Sequence, residues 1–570
     1  MRKRTLKTLT FGKGDLMNYK ALFTASPEDL GIGSVISYLN ILNEETKQYV
    51  SWNNPCIRSN QIDNSIEYLK DSYMRTEGAE AADVLRKVAE LTAGLPLWNH
   101  PGTMLNVIPP VNLVAAAAGA FADVLNVNFS QGHYSGNMVL AELKVAKYMS
   151  DLVGWDWMES GGIFTFGGKG TSLYALKNAI NRAYPQGKEE GYDTKFFFLS
   201  SAKGHPCHAE VAEWLGIGKK SCIRVPTWNN GKIKIKEAER LIAENIQQGM
   251  VFLGCILSGG STVELEVDDI YAVRELMERT RDCYNLSYSP WIHVDSVVGW
   301  PWLFYNDYDF GENALRLSDQ AMEKIRSMSQ DISGICAADS FGADFHKTGF
   351  CPYVSSLFMC RSNRELCQVS NHTCPAEKND DPSRYSPFEY SLELSRSAKG
   401  AVSALAALET MGKNGYRRLI ADLVENTCAL RNLLATLPFV ELLNSSARGF
   451  ATLFVLKPPQ YEACSLSTLL ELPLEDTEVI KKYNVRFGNF VEALIEQGLT
   501  SVNFTSTDTF AVNNTNVYLG MVKLYPMSVL QNNTSNEAFV SELCRLKAQF
   551  DSHDQSTIAD VAALDMVYRK

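Results

Sequence analysis

The sequence predicts an α/β protein with a large, mostly parallel sheet domain and a smaller α+β domain at its C-terminal end. Short apolar runs at 196–199, 251–257 and 291–295 alternate with segments of helical periodicity. These runs are continuous rather than alternating, which is typical of parallel strands that are covered on both faces. The length of 570 residues suits two or three structural domains.

The first part of the chain predicts helices and then a change of character. Residues 1–95 show helical periodicity, as at 79–95, and carry no motif with an assignable chemistry. A Pro- and Gly-containing loop at 96–102 is followed by an Ala-rich helix at 111–127. The polar loop 126–136 then precedes a helix at 138–153, and such a loop is equally a ligand contact or a solvated connector.

The C-terminal part is less patterned. A small-residue helix is predicted at 397–411, and a mixed α+β portion follows it to the end of the chain. We therefore predict an N-terminal helical segment at 1–95, a large domain at 96–395 and a small domain at 396–570. Residues 377–384 form a polar patch of low complexity.

Composition and charge exclude several classes of protein. The formal net charge of −11 argues against nucleic acid, because binding phosphates needs a basic surface. The basic first residues are not followed by an apolar run, so we expect no signal peptide. Polar residues interrupt the apolar run 111–127, which favours a buried helix over a membrane span. The 13 scattered cysteines, with no CxxC pair, predict reduced thiols and a cytoplasmic location.

The stretch 337–353, AADSFGADFHKTGFCPY, places His346 and Lys347 in a turn framed by Gly and Pro ahead of the apolar run 357–359. Packing can desolvate a lysine in such a turn and hold it against a carbonyl, which suits the formation of a Schiff base. Most lysines are surface cations, so this pair needs support from other motifs.

The run GGIFTFGGKGTS at 161–172 leads into a predicted helix at 173–183. Glycines at a helix start expose backbone N–H groups and align the helix dipole with an anion, so a phosphate fits there. A Walker A loop needs Ser or Thr after Gly-Lys, whereas Gly170 follows Lys169. ATP or GTP hydrolysis is therefore disfavoured, and a helix start without a ligand is the alternative.

The run SSAKGHPCH at 200–208 follows a predicted strand. His205, Cys207 and His208 have no matching carboxylate or cysteine pair at ligand spacing, so we predict no metal. An imidazole at the carboxyl end of a strand can instead stack on a flat ring or exchange protons.

The run WIHVDSVVG at 291–299 ends a predicted strand with Asp295. A buried carboxylate is costly unless a cation meets it, and a protonated pyridine nitrogen would do so while the pair keeps the ring electron-poor. Capping of the next turn is the ordinary alternative. Ser296 is small enough to leave room for a ring.

In this order and spacing, the four motifs resemble the group II pyridoxal-phosphate-dependent amino acid decarboxylases. The resemblance extends from about residue 95 to beyond 408, and its strongest matches are His205, the triplet 293–295 and the run 339–347. The family includes decarboxylases of glutamate, aromatic amino acids, cysteine sulfinate and aspartate. It implies the fold type I (aspartate aminotransferase-like) architecture and a homodimer with active sites at the subunit interface.

The resemblance also implies roles for individual residues. Lys347 would bind pyridoxal 5'-phosphate covalently, Asp295 would pair with its ring nitrogen, and His205 would stack on the ring. An L-amino acid would lose its carboxylate as CO2, and a tyrosine downstream of the lysine would return a proton to the α-carbon. Tyr385 is the candidate for that donor and Tyr390 is its competitor, in a Pro- and Asp-rich loop whose composition suits a lid.

At the phosphate, the resemblance implies contacts from Gly168, Lys169 and His346. Lys169 stands where relatives commonly have Ser or Thr, so it either supplies charge or points away and leaves binding to the backbone amides. Thr171 or Ser172 would then provide a hydroxyl. The family's His-Val-Asp-Ala-Ala type of run reads HVDSV here, which changes the packing against the ring.

Other functions on the same scaffold stay open. A carbon–carbon lyase shares the core, and the run 395–397 resembles such enzymes too. An aldehyde-forming oxidative deaminase and a non-catalytic relative are further alternatives. Arg396 and Arg448 are candidate anchors for a substrate carboxylate, with structural roles as the ordinary reading. The sequence does not identify the amino acid.

Overall fold

The computed structural model of the chain describes residues 22–24, 26, 28–57, 69–70, 72–74, 76–261, 264–370, 385–509, 511–512 and 515–557. The predicted polar patch at 377–384 lies outside these residues.

The N-terminal part contains a helix where the periodicity at 79–95 predicted one. It contains, in chain order, α1 (Ile32–Lys47), α2 (Ala81–Glu90), the short strand β1 (Thr103–Met104), α3 (Leu113–Val124) and α4 (Leu140–Val153). Helix α3 begins where it does because the Asn112 side chain accepts hydrogen bonds from the Val114 and Ala115 N–H groups.

A seven-stranded sheet forms the large domain. Its strands are β2 (Gly161–Thr165), β3 (Phe196–Ser201), β4 (Cys222–Val225), β5 (Val251–Ser258), β6 (Trp291–Asp295), β7 (Ser340–Asp344) and β8 (Ser356–Cys360). Their spatial order is β2-β8-β7-β6-β5-β3-β4, and β8 runs antiparallel to both neighbours. The other pairings in this sheet are parallel, which confirms the predicted mostly parallel sheet.

Helices cover both faces of this sheet, as expected for buried parallel strands. They are α5 (Gly168–Ala183), α6 (Cys207–Trp214), α7 (Ile235–Gln247), α8 (Ile270–Cys283), α9 (Asp319–Ser333) and the long α10 (Lys399–Leu434), which is kinked at Gly412. Two buried apolar clusters lie on the two sides of the strands: Phe197 and Ile292 belong to one, and Phe196 and Trp291 to the other. Adjacent residues of a strand therefore enter different cores.

Four strands of this sheet were not predicted: β4, β8, of which the sequence shows only the apolar run 357–359, and β2 and β7. Strand β2 is Gly-Gly-Ile-Phe-Thr and lies within the predicted glycine loop, whereas β7 is Ser-Phe-Gly-Ala-Asp and precedes the His-Lys turn. Both are fully buried and rich in small residues, so neither shows a hydrophobic pattern. Close packing explains the composition, since a Cβ at Gly342 would collide with Thr171 Oγ1.

The C-terminal part contains a second, five-stranded sheet and two long helices. Its elements are β9 (Val440–Leu442), β10 (Thr452–Leu456), α11 (Leu474–Gln497), β11 (Asn503–Thr507), β12 (Met521–Leu524) and α12 (Asn533–Thr557). Strand β1 completes this sheet by pairing in parallel with β11. The smaller α+β domain is therefore joined by a strand from the N-terminal half, while the three domain boundaries stay a prediction.

Two further expectations concern thiols and membranes. Eleven cysteines in the described residues are free, whereas Cys367 is in a disulfide, so the prediction of reduced thiols is wrong at that residue. In the ranges that the structure describes, no helix is both long and apolar enough to cross a bilayer.

Candidate active site

The predicted motifs converge at the carboxyl ends of neighbouring strands. Asp295 is the last residue of β6, and Asp344 is the last residue of β7, three positions before Lys347. The loop with His205 follows β3, and α5 begins just after β2. Because these strands point the same way, the segments that follow them meet at one edge of the sheet, where ligands bind in open α/β folds.

One carboxylate oxygen of Asp295 has a hydrogen-bond partner, and the other has none in the described structure. Its Oδ2 lies 3.0 Å from His208 Nε2, whereas its Oδ1 is buried without a hydrogen-bond partner in the described structure. Burial raises the pKa of this carboxyl, but the hydrogen bond from His208 and the nearby Lys347 ammonium outweigh it and leave the pKa well below its ordinary value. Asp295 is therefore a carboxylate with a free acceptor that faces inward.

Lys347 is held by a carboxylate that the sequence analysis did not single out. Its Nζ lies 2.9 Å from Asp344 Oδ2, and Asp344 Oδ1 accepts a hydrogen bond of 2.5 Å from Ser356. Burial lowers the pKa of the Lys347 ammonium, while Asp344, followed by Asp295 and Tyr353, raises it, so that the net shift is upward. Asp295 and Lys347 thus lie within electrostatic reach of each other, as the prediction required.

His346 and Gly168 complete this group. His346 Nε2 lies 3.5 Å from Asp344 Oδ2, and its buried ring packs on Tyr353 with the centroids 4.1 Å apart. A Cβ at Gly168 would come within 2.8 Å of Asp344 Oδ2, so only glycine allows this close approach. The start of α5, where the N–H groups of Gly168 and Lys169 precede the first helical hydrogen bond, from Gly170 to Gly167, therefore adjoins the His-Lys turn.

Two residues predicted at the phosphate are already engaged. The Lys169 ammonium pairs with Glu210 and lies 4.8 Å from the centroid of the Trp214 ring. This corresponds to the alternative in which the lysine points away and backbone amides bind the anion. The Thr171 hydroxyl donates to the Gly168 carbonyl at 2.8 Å. Ser172 Oγ is buried and has no partner in the described structure, so it is the freer of the two hydroxyls.

His205 is exposed and its loop is held by an arginine. Its Nδ1 accepts the Cys207 N–H at 3.1 Å, which orients the ring. Loss of hydration lowers the pKa of the His205 imidazole, and Asp295 acts in the opposite direction. Arg224 donates to the carbonyl oxygens of Ser201, Gly204 and His205 at 3.0 to 3.1 Å. Sequence reasoning missed Arg224, because its role depends on loop carbonyls that only the fold brings together.

The candidate tyrosines pack against each other. Tyr385 stacks on Tyr390 with ring centroids 5.1 Å apart, and burial raises the pKa of both phenols. The charges that act on Tyr385 come from Glu142 and Arg396. Tyr353 is the tyrosine that Lys347 and Asp344 influence, and it is 47% exposed. The role of Tyr385 as proton donor stays a prediction.

Both candidate carboxylate anchors have structural partners. Arg396 forms a buried two-point pair with Glu142, at 2.7 and 2.9 Å, and also donates to the Phe164 carbonyl. Arg448 pairs with Glu266 at 2.9 Å and with Asp331 at 2.5 Å. Each guanidinium is therefore committed to protein groups in this structure.

The residues at this edge fit pyridoxal phosphate. The partnerless Asp295 Oδ1 needs a donor, which a protonated pyridine nitrogen supplies, and the adjacent start of α5 suits a phosphate. A primary amine, Lys347, is in electrostatic contact with Asp295 and pairs with Asp344, the carboxylate that Gly168 of α5 approaches closely. Among the described residues, no group of three or more His, Cys, Asp or Glu side chains is arranged to hold a metal ion.

Comparison with known proteins agrees with this chemistry. The family model for the pyridoxal-dependent decarboxylase conserved domain matches residues 66–303, a stretch that contains His205 and Asp295 and ends before Lys347. The acidic amino acid decarboxylase GADL1 of Mus musculus is 29% identical over 237 residues, which are 41% of this chain and 41% of the relative. Its Homo sapiens counterpart is 27% identical over 237 residues, 41% of this chain and 43% of the relative. The match therefore spans about two fifths of these relatives.

Solved structures show the same fold. Mouse CSAD superposes with a TM-score of 0.73 at 18% identity, and covers 91% of this chain and 99% of its own. Oryza sativa TDC with PLP and tryptamine superposes with a TM-score of 0.72 at 14% identity, over 92% and 99% of the two chains. These likenesses show a fold type I architecture.

Proposed function

We propose that the chain is a group II pyridoxal-phosphate-dependent decarboxylase that converts an L-amino acid to the corresponding amine and CO2, as its similarity to the pyridoxal-dependent decarboxylase domain and to GADL1 supports. The observation that carries the proposal is that Lys347 lies at the strand edge within electrostatic reach of Asp295, whose Oδ1 is buried without a partner in the described structure. Nothing on the protein side satisfies that oxygen in the described structure, and a ring N–H would.

The residues divide the work of this reaction. Pyridoxal phosphate supplies a protonated ring that takes up the electron pair left behind by the departing CO2. Asp295 Oδ1 would hold the proton on the ring nitrogen, and the low pKa of this carboxyl keeps it charged in that role. His205 would lie against the ring, with its orientation fixed by the Cys207 N–H. Lys347 would hold the cofactor covalently until the substrate amine replaces it.

Asp344 would control the protonation state of Lys347. A carboxylate at 2.9 Å favours the ammonium form of Lys347, whereas covalent attachment to an aldehyde needs the free amine. Asp344 would therefore slow attachment, because it holds Lys347 in the charged form that must first lose its proton. The proton returned to the α-carbon requires a separate donor, for which Tyr385 stays the proposed residue and Tyr353 is a second candidate because it adjoins Lys347.

Incubation of the purified protein with pyridoxal phosphate and single L-amino acids would test the reaction. We expect equal amounts of CO2 and amine from at least one acidic or aromatic amino acid, since GADL1 is named for acidic substrates and the TDC structure holds tryptamine. Amine-free release of aldehyde, ammonia and peroxide would support the oxidative alternative. Cofactor binding without any turnover would support a non-catalytic relative.

We also propose that the protein acts as a homodimer. Helix α1 has no buried residue, and its Ile36 and Leu39 are 54% and 52% exposed. On α3, Leu113 is 80% exposed and Val114 is 52% exposed. Apolar helix faces of this kind are normally covered, and a second copy is the occupant that the family resemblance implies. Light scattering at several concentrations should give twice the chain mass, and a monomer mass throughout would contradict this proposal.

A cytoplasmic location is part of the same proposal. The eleven free cysteines support a reducing compartment, while the disulfide at Cys367 argues against it. Fractionation of cells that produce the full chain would decide between the two.

A further inference from the structure

A relay of hydrogen-bonded side chains connects Asp295, on β6, to Arg224, on the edge strand β4 of the same sheet. Arg224 Nη1, on β4, donates to Ser200 Oγ at 3.0 Å. Ser200 Oγ lies 2.8 Å from His208 Nδ1, and His208 Nε2 lies 3.0 Å from Asp295 Oδ2. His208 and Ser200 are fully buried, so water does not compete for these contacts.

The donor groups of this relay determine which atom carries each proton. A guanidinium only donates, so Ser200 Oγ accepts from Arg224 and has its own proton to give. His208 Nδ1 is the nitrogen in reach of that proton, which makes it an acceptor and leaves the histidine proton on Nε2. This Nε2–H then points at Asp295 Oδ2. The ring is neutral in this arrangement.

The alternative arrangement is disfavoured. A doubly protonated His208 would donate to Ser200 from Nδ1, so Ser200 would have to accept from two cations and send its own proton elsewhere. The Cys222 thiol is in contact with Ser200, but sulfur is a weak acceptor. The fixed charge of Arg224, one hydroxyl away, also opposes a second positive charge on the imidazole.

We propose that Arg224, Ser200 and His208 act as positioning residues that hold His208 in its Nε2-protonated neutral form, so that Asp295 keeps a full negative charge and one free oxygen for the ring nitrogen of the cofactor. This inference rests on the proposed function and goes beyond it. It gives His208 a role that is distinct from ring stacking by His205. It also links the two histidines, because Arg224 donates to Ser200 and to the His205 carbonyl.

His293, a second buried histidine near the site, has a similar serine contact but no carboxylate partner for its other nitrogen in the described structure. Trp291 Nε1 donates to Ser340 Oγ at 2.8 Å, and Ser340 Oγ lies 2.9 Å from His293 Nδ1. The same reasoning puts the His293 proton on Nε2, yet Nε2 is buried without a partner in the described structure. The described hydrogen bond of the His293 ring therefore joins β6 to β7, whereas His208 donates its Nε2–H to the Asp295 carboxylate.

Replacement of His208 would test the relay through cofactor affinity. In His208→Leu, Asp295 Oδ2 loses the donor that His208 provides, and we expect the dissociation constant for pyridoxal phosphate to rise by about 10- to 100-fold. His208→Gln keeps an amide N–H toward Asp295 and an acceptor toward Ser200, so it should restore affinity to within a few-fold of the wild type. Affinity unchanged in both variants would overturn the inference.

The protonation state can be measured directly. With ¹⁵N-labelled histidine, comparison of the wild type and His208→Gln identifies the His208 signals by NMR, and we expect one protonated ring nitrogen, Nε2. Two protonated nitrogens would overturn the proposal. Arg224→Met should produce a mixture of tautomers and weaken cofactor binding, whereas Arg240→Met, which removes an arginine from exposed ion pairs on α7, should change neither.

These measurements separate two kinds of failure. A wild-type protein that does not bind pyridoxal phosphate contradicts the proposed function, and the NMR result still decides the tautomer. A wild-type protein that binds and decarboxylates, with His208→Leu equal to wild type, contradicts only the relay. If His208→Leu does not fold, as judged by thermal denaturation, Arg224→Met and His208→Gln carry the test.

Discussion

Two buried carboxylates near β6 and β7 have opposite environments. Asp339, just before β7, accepts from Arg182 through two nitrogens at 3.1 Å, from Arg274 at 3.0 Å and from the Ile292 N–H at 2.8 Å. Asp295, at the end of β6, receives a hydrogen bond on one oxygen and none on the other.

This difference distinguishes a structural carboxylate, Asp339, from the proposed cofactor-binding carboxylate, Asp295. Asp339 joins strands and helices at the amino edge of the sheet, and both of its carboxylate oxygens accept two hydrogen bonds each. Asp295 lies at the carboxyl edge, where parallel strands present ligand sites. A buried carboxylate with an unmet oxygen is costly unless something binds it, so incomplete satisfaction marks the site better than burial or charge alone.

Replacement of Lys347 should have the largest effect on activity. Lys347→Ala removes the only group proposed to bind the cofactor covalently, and we expect decarboxylation to fall on the order of 10⁴-fold or more. The absorbance of the bound cofactor near the visible edge should be lost as well. Lys203→Ala is a matched control, because Lys203 is also paired with a carboxylate, Glu264, and lies in a loop at the same edge. Equal losses in both variants would contradict the assignment.

Amide substitution of the two aspartates tests the comparison itself. We expect Asp295→Asn to lower kcat about 10²- to 10³-fold, because it removes a charge aimed at the reacting ring, with little change in folding stability. Asp339→Asn should instead leave two buried arginines underpaired and cost about 3 kcal/mol of folding free energy. Steady-state kinetics and urea denaturation of both variants are the measurements. The reverse assignment of effects would refute the distinction.

Tyrosine substitutions extend the comparison to the proton donor. Tyr385→Phe should lower amine formation about 10²-fold if Tyr385 donates the proton, and should raise the share of aldehyde among the products. Tyr390→Phe is the matched control, since the two rings stack. An effect confined to Tyr353→Phe would move the donor role to the residue beside Lys347.

The smallest effect is expected at Asp344. Because Asp344 raises the pKa of Lys347, Asp344→Asn should lower that pKa and increase the free amine at neutral pH. Covalent loading with pyridoxal phosphate should then be several-fold faster near pH 7, and its rise with pH should begin at lower pH than in the wild type. Stopped-flow absorbance across a pH series would measure both. Identical profiles would show that Asp344 does not control the lysine.

The sequence predicted the elements and residues that are recognisable from a short segment of the chain. The continuous apolar runs predicted β3, β5 and β6, because a strand buried on both faces needs apolar side chains throughout. The order of His205, Asp295 and Lys347 indicated a cofactor site, and the strands bring their segments to one edge. It missed β2 and β7, whose small residues respond to close packing that no local pattern records.

The sequence alone therefore determined the fold class and the chemical groups of the site, because apolar runs predict buried strands and the side-chain type is known at each position. The tertiary structure decided which partners those groups have. It assigned Lys169 to Glu210 and Arg396 to Glu142, and it joined Lys347 to Asp344. It also placed His208 against Asp295, 87 residues along the chain. Hydrogen bonds and ion pairs depend on distances of a few ångströms between segments that are remote in sequence, and only the folded chain sets those distances.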